Sequence, residues 1–194
     1  MNRSRISSRS LGCRVAEALA VLFAVLLSAF TCEAAAEDLR ILIVRHGEKP
    51  QTGDNLSCQG ENRALALPAV LMKKFGRPGL AYVPKLETKA STRHARMFQT
   101  VTPFAIQQDL TVNSKYAEED VTGAAQDVLQ QTGLVLMVWE HTQIPPLAKA
   151  LGVKNPPSWR KDDFDSIWVV TPSGGVATLT TTAEGLKPSP KCSF

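Results

Sequence analysis

The sequence predicts an α/β fold, a three-layer α/β/α sandwich around a mostly parallel central sheet. Short apolar, β-branched runs that are typical of buried strands alternate along the chain with segments of helical periodicity. Strands that alternate with helices are typical of βαβ units in a parallel sheet. The length of 194 residues suits one compact domain. The ordinary composition, with 44% hydrophobic and 21% charged residues, excludes a disordered chain.

The first half of this domain is predicted to contain two strands and two helices. Residues 39–44 (LRILIV) form the first buried strand. Ser57 is suited to cap the helix that follows, and Pro68 would kink this helix unless it lies in a first turn. Residues 80–86 form a second strand, which Pro84 weakens because proline has no N–H to donate. The next helix is predicted over residues 92–108.

The second half continues the alternation and ends in two strands. Residues 134–139 (LVLMVW) are the strongest buried-strand run of the chain. Gly174-Gly175 predicts a turn that leads into an edge strand. The predicted helices span residues 122–131 and 144–151, and the predicted strands span residues 134–139, 167–171 and 176–182.

The first 36 residues have the pattern of a secretory signal peptide. Four arginines and no acid lie in residues 3–14, an apolar run covers residues 15–30, and Ala34-Ala35-Ala36 provides a small-residue cleavage site. The alternative is a retained membrane anchor, although the run is shorter than the ~20 apolar residues that span a bilayer. We therefore predict a signal peptide (1–36), a mature domain (37–194), a periplasmic or secreted location and no stable membrane span after cleavage.

Removal of the signal peptide changes both the charge and the cysteine content. Four of the 22 basic and two of the 18 acidic residues lie in residues 1–36, so the net charge falls from +4 to +2. No Lys/Arg-rich stretch remains, which argues against a nucleic-acid partner. Cys58 and Cys192 remain and either form a disulfide or stay free. The chain has neither a C-x-x-C motif nor metal-type cysteine spacing, so we predict no metal.

Two of the three histidines directly follow the two strongest predicted strands. His46 comes after the first strand, between Arg45 and Gly47, and His141 comes after residues 134–139. Because ligands bind at the carboxyl ends of the strands in open α/β sheets, we expect both histidines in one site. Arginine matches phosphate oxygens with two parallel hydrogen bonds, so the pattern indicates a phosphate-binding site.

The predicted helix over residues 92–108 adds a second arginine to this site. Thr92 and Arg96 are four residues apart and therefore share a helix face. A helix N-terminus at the same sheet edge also attracts anions. His94, which lies between them, is expected at the surface.

The order and spacing of these segments resemble the histidine phosphatase superfamily, which contains phosphoglycerate mutases and acid phosphatases. The resemblance covers nearly all of the mature chain, with Thr92 at the position of the family's usual serine. It implies a phosphoglycerate mutase-like fold. The segments that carry it are Arg45-His46-Gly47-Glu48, Leu56-Ser57-x-x-Gly60-x-x-Arg63-Ala64, Thr92-x-x-x-Arg96-x-x-Gln99-Thr100 and Glu140-His141.

The resemblance also implies a role for each site residue. His46 becomes the nucleophile that carries the phosphoryl group, Arg45 and Arg96 bind the phosphate oxygens, and His141 donates to the same oxygens. The substrate-binding set further includes Thr92 and Gly47. The general acid is expected in an acidic loop, as Glu118 or Glu119, while Glu48 and Glu140 lie beside the catalytic histidines.

The predicted function is therefore an exported phosphatase that hydrolyses phosphomonoesters or phosphohistidine without a cofactor. Export argues against a glycolytic mutase, whose substrates are cytosolic. The expected partner is a small phosphorylated substrate or a phosphate displayed on a surface. The alternatives are a catalytically weak phosphoanion-binding protein on the same fold and, if residues 15–31 are retained, a membrane-anchored scaffold.

Overall fold

The computed structural model describes residues 38–87, 92 and 94–192. The predicted signal peptide lies outside these residues, and none of the helices that are described is long and apolar enough to cross a membrane. Within the described ranges, six strands and four helices follow one another as β1 (Arg40–Arg45), α1 (Cys58–Phe75), β2 (Leu80–Tyr82), α2 (Ala95–Gln108), β3 (Thr111–Asn113), α3 (Val121–Val128), β4 (Leu134–Trp139), α4 (Ile144–Ala150), β5 (Ser166–Ser173) and β6 (Val176–Ala183).

The strands form one sheet with the order β3-β2-β4-β1-β5-β6. The first four strands along the chain are mutually parallel, whereas β5 runs antiparallel to both β1 and β6. Alternate residues of β1 and β4 enter two separate cores: Ile41 and Ile43 pack with α3 and α4, and Leu42 and Val44 pack with α1 and α2. The predicted three-layer α/β/α architecture with a mostly parallel sheet is confirmed.

Several element boundaries differ from the predictions. The second strand stops at Tyr82, before Pro84, and β3 was not predicted because three residues carry too little periodicity. Helix α1 begins after Ser57, whose side chain accepts from the Gly60 N–H, and continues through Pro68 to Phe75. The helix predicted from residue 92 begins at Ala95, because His94 has a left-handed backbone with φ 68°.

A disulfide between Cys58 and Cys192 joins the start of α1 to the C-terminal segment, with a Cα–Cα distance of 4.7 Å. Asn62, one turn further along α1, donates from Nδ2 to the carbonyl oxygens of Ser189 and Lys191. The C-terminal segment is therefore attached to α1 at two successive turns of the helix.

Candidate active site

The register of two neighbouring strands brings the two predicted catalytic histidines to one edge of the sheet. Arg45 pairs with Trp139 at the ends of the parallel strands β1 and β4. The ladder continues one step further, because the His46 N–H donates to the Trp139 carbonyl at 3.2 Å. His46 therefore lies next to Glu140 across the strands, and His141 follows at the same edge.

His46 is a buried and neutral imidazole. Its residue is 1% exposed, and Nδ1 lies 2.7 Å from the Gly47 carbonyl oxygen. Since a carbonyl can only accept, Nδ1 carries the hydrogen and the lone pair is on Nε2. Burial lowers the pKa of His46 to about 4, and the positive charges of Arg45 and Arg96 act in the same direction. Such an imidazole is an unprotonated nucleophile at neutral pH.

Arg45 is held in place by backbone carbonyls and by an aromatic ring. It is 2% exposed, and its Nη1 donates to the carbonyl oxygens of Lys161 at 2.7 Å and Asp163 at 3.1 Å. Its guanidinium carbon lies 3.8 Å from the centre of the Phe164 ring, which also meets His46 edge-on. Burial lowers the pKa of Arg45, and Arg96 adds to this effect. The role of Phe164 was missed, because no sequence pattern marks it.

Arg96 lies in the first turn of α2 and contributes the second positive charge. Its Nη1 donates to the Gly53 carbonyl at 3.2 Å, and its buried Nε has no hydrogen-bond partner among the described residues. The buried Arg45 Nε likewise has no hydrogen-bond partner among the residues that the structure describes. Two guanidiniums with buried N–H groups to offer, next to a neutral histidine, can bind a phosphate.

Gly47 and Thr92 were both predicted to bind substrate. The Gly47 N–H donates to Thr100 Oγ1 at 2.9 Å, so this amide is already used to connect the loop to α2. A Cβ atom at Gly47 would lie 2.7 Å from the Gly60 carbonyl oxygen, which shows that the glycine permits close backbone packing. The idea that Thr92 shares a helix face with Arg96 is wrong, because the exposed Thr92 precedes the left-handed turn at His94.

His141 is oriented by the carboxylate of the preceding residue. His141 Nδ1 contacts Glu140 Oε1, while Glu140 Oε2 accepts from the Thr142 N–H at 2.6 Å and from the Thr142 hydroxyl. Burial opposes ionisation of Glu140, but these hydrogen bonds from Thr142 and His141 hold its pKa below the usual value. Glu140 is therefore a carboxylate that orients His141 and is not suited to be a proton donor.

Glu48, the other carboxylate beside His46, is engaged by Arg63. Arg63 donates from Nε and Nη2 to the Glu48 oxygens at 2.8–3.1 Å. The same guanidinium contacts Glu184 and lies 3.5 Å from Asp165. In the sequence, Arg63 stands out only as part of a motif, and no pattern marks Glu184, which is 121 residues away along the chain. This ion-pair cluster leaves Glu48 unavailable as the acid.

The acidic loop provides Glu118 as the better of the two predicted acids. Its side chain is 13% exposed, whereas Glu119 is exposed. Burial raises the pKa of Glu118, and the negative charges of Glu140 and Glu119 add to the rise, against the opposing effects of His94 and Arg96. A raised pKa is what a carboxyl group needs to act as an acid near neutral pH.

The expectation that His94 is a surface residue is wrong. Its side chain is 11% exposed, and Nε2 lies 3.1 Å from Glu118 Oε2. One ring nitrogen of His94 and one carboxylate oxygen from each of Glu118 and Glu119 lie within 4.8 Å of one another. The absence of a metal from the reaction stays a prediction.

Comparison with solved structures places this geometry in a known fold. The protein histidine phosphatase SixA, solved with tungstate, matches with a TM-score of 0.56 at 16% identity, over 75% of this chain and 97% of that one. A mycobacterial glucosyl-3-phosphoglycerate phosphatase, solved with inorganic phosphate, matches with a TM-score of 0.56 at 16% identity, over 76% of this chain and 99% of that one. The chain has the histidine phosphatase fold. No family model and no curated protein matches the sequence.

In this histidine phosphatase fold, the loop between β1 and α1 is attached to α2 beside Arg96. Gln99 accepts from the Leu56 N–H at 2.9 Å and donates to Asn55 Oδ1 at 2.8 Å. A cavity of about 440 Å³ lies next to this attachment, between α1 and α2. The cavity is separate from the predicted site residues, since neither His46 nor either arginine lines it.

Proposed function

We propose that the protein is an exported phosphatase that hydrolyses phosphomonoesters or phosphohistidine through a phosphohistidine intermediate on His46. The observation that carries the proposal is the buried imidazole whose Nδ1–H is donated to the Gly47 carbonyl, which leaves the Nε2 lone pair for attack. Arg45 and Arg96 lie close enough to lower the pKa of this imidazole. A nucleophile between two guanidiniums is what phosphoryl transfer requires.

In the first step, His46 Nε2 attacks phosphorus while the bond from phosphorus to the leaving-group oxygen breaks. The electron pair of that bond stays on the leaving oxygen, which takes a proton from the carboxyl group of Glu118. Arg45 and Arg96 neutralise the charge on the other phosphate oxygens, and His141 donates to them from its oriented ring.

In the second step, water attacks the phosphorus of the phosphohistidine. The bond between phosphorus and Nε2 breaks, and its electron pair returns to His46. The carboxylate of Glu118 accepts the proton that the water loses. Inorganic phosphate is released, and the Nδ1–H of His46 remains bonded to the Gly47 carbonyl through both steps.

The proposed substrates are small phosphorylated molecules or phosphates displayed on a surface. The names of both matched structures support phosphate chemistry: SixA is named a protein histidine phosphatase, and the mycobacterial protein is named a glucosyl-3-phosphoglycerate phosphatase. No inserted domain covers the carboxyl edge of the sheet in the residues that the structure describes. An open edge of this kind suits varied leaving groups.

The proposed export is supported by the disulfide between Cys58 and Cys192, since disulfides persist in oxidising compartments. N-terminal sequencing of the protein from culture medium and from a periplasmic fraction tests this part. A first residue close to Glu37 is the expected result. An intact N-terminus on membrane-bound protein would support the anchored form instead.

Phosphate release from an aryl phosphate tests the proposed activity, with wild type compared with His46→Ala. We expect the variant to fall to the background rate, and equal rates would refute the nucleophile. Arg96→Gln should lose about 10²–10³-fold in kcat/KM. The matched Arg77→Gln control changes an exposed arginine on the loop that leads into β2 and should retain the activity. Tight phosphate binding without turnover would favour the phosphoanion-binding alternative.

A further inference from the structure

The imidazole of His94 is bonded at both ring nitrogens. Nδ1 lies 3.2 Å from the carbonyl oxygen of Lys85, and Nε2 lies 3.1 Å from Glu118 Oε2. A carbonyl oxygen has no hydrogen to give, so Nδ1 must carry one. The tautomer of His94 is therefore set by Lys85, and only Nε2 remains to interact with Glu118.

The contact between His94 and Glu118 requires a further proton. A bare Nε2 lone pair and an ionised carboxylate would repel each other at 3.1 Å. One hydrogen must lie between them, on the nitrogen as imidazolium or on the oxygen as carboxylic acid. The pair thus holds one transferable proton in a largely buried place.

This proton lies beside the phosphate site. The Glu118 carbonyl accepts from Trp139 Nε1 at 2.9 Å, and Trp139 is the strand partner of Arg45. The charged groups that act on the Glu118 carboxyl include Arg96 and Glu140, which also act on His46. The imidazole contributes nothing to capping of α2, because His94 makes no side-chain capping hydrogen bond there.

We propose that His94 is a positioning residue that holds Glu118 toward the leaving group and shares with it the single proton that Glu118 donates. This inference rests on the proposed function. When the ester bond breaks, Glu118 gives the single proton of the pair to the leaving oxygen, and the pair is left as a neutral imidazole with a bare Nε2 and an ionised carboxylate. The remaining lone pair and carboxylate repel each other, so the pair readily takes back the proton that the attacking water loses.

The test uses the full mature protein and two substrates that differ in their need for an acid. An aryl phosphate has a good leaving group and needs little protonation, whereas a primary alkyl phosphate needs a proton donor. His94→Asn removes the imidazole and suits the left-handed backbone at φ 68°, which asparagine tolerates. Glu118→Gln is the companion variant, and Glu61→Gln, in the first turn of α1, is its matched control.

We expect His94→Asn and Glu118→Gln each to lose about 10²-fold in kcat on the alkyl phosphate and little on the aryl phosphate. The double variant should lose no more than Glu118→Gln alone. Equal losses of His94→Asn on both substrates, or full alkyl activity in this variant, would overturn the proposal. A wild type that hydrolyses only the aryl phosphate would overturn it as well.

A second measurement keeps the inference separate from the proposed function. Nitrogen-15 NMR of the imidazoles reports which ring nitrogens carry hydrogen, whether or not the enzyme is active. A hydrogen on Nδ1 of His94 is expected in the wild type and in His46→Ala. A bare Nδ1 would refute the proposed role of His94 and leave the proposed phosphatase function standing. If the wild type released phosphate no faster than His46→Ala on either substrate, the proposed function would fall, and the role of His94 with it.

Discussion

One guanidinium, that of Arg63, faces three carboxylates beside the loop that connects β1 to α1. Arg63 binds Glu48 with two of its nitrogens, contacts Glu184 with the third and lies 3.5 Å from Asp165. Glu184 is 4% exposed, and its Oε1 is buried with no hydrogen-bond donor among the described residues. The cluster therefore holds more negative than positive charge when every carboxyl is ionised, and a proton on Glu184 relieves the excess.

The pH dependence of stability follows from this arrangement. Burial raises the pKa of Glu184 from 4.5 to about 7, although Arg63 opposes the rise. A raised pKa means that the folded protein holds the proton more tightly than the unfolded chain. The resulting stability is fully present below pH 4.5 and is lost as the pH rises to about 7. At about 1.4 kcal/mol per pH unit, the loss in the free energy of unfolding is about 3 kcal/mol.

Glu184→Gln removes this titration and keeps the size of the side chain. We expect the free energy of unfolding of the wild type to fall by about 3 kcal/mol more than that of the variant between pH 4.5 and pH 8. Urea unfolding of both proteins at each pH, with the disulfide intact, measures this difference. The other titrating groups are the same in both proteins, so their contributions cancel in the comparison. For the control Glu119→Gln, at an exposed position, the free energy of unfolding should change with pH as it does in the wild type. A Glu184→Gln curve that runs parallel to that of the wild type would refute the reasoning.

The geometry also determines the pH profile and two contributions to stability. Because the pKa of His46 is about 4, the acid limb of the kcat/KM profile should lie near pH 4, and a limb near 6.5 would contradict a buried neutral imidazole. Cys58→Ser should lower the free energy of unfolding by up to about 5 kcal/mol in urea, since the disulfide closes a separation of 134 residues. Gly47→Ala should cost about 1–3 kcal/mol, because its Cβ would lie 2.7 Å from the Gly60 carbonyl oxygen. The control Gly79→Ala, which meets nothing closer than 4.0 Å, should unfold like the wild type.

The parts of the site that could be predicted from the sequence are those that follow a local pattern. An apolar run that is buried on both faces predicts a strand without knowledge of its partners, so β1 and β4 were identified within one residue of their observed ends. Residues directly after such strands must lie at the carboxyl edge, which placed His46 and His141 correctly. The N-cap at Ser57 depends only on the next turn and was also identified.

Contacts between distant segments were decided only by the tertiary structure. Helix α2 begins at Ala95 and not at Thr92, where it is predicted, because the backbone at His94 is left-handed. The ring of His94 contacts the carbonyl of Lys85 and the carboxyl group of Glu118, which are distant in the sequence. Whether Cys58 and Cys192 form a disulfide depends on where the fold places the C-terminal segment, which lies against the start of α1.

The sequence by itself thus determined which residues stand at the carboxyl edge of the sheet. The strands that end there, β1 and β4, are predicted by the apolar runs of their own residues, without knowledge of the segments that pack on them. Only the tertiary structure decided the electrostatics of that edge, through the Gly47 carbonyl against His46 Nδ1, the ring of Phe164 over Arg45 and the contact between His94 and Glu118. The physical reason is that a pKa or a tautomer depends on burial and on the group opposite, and neither exists until the chain has folded.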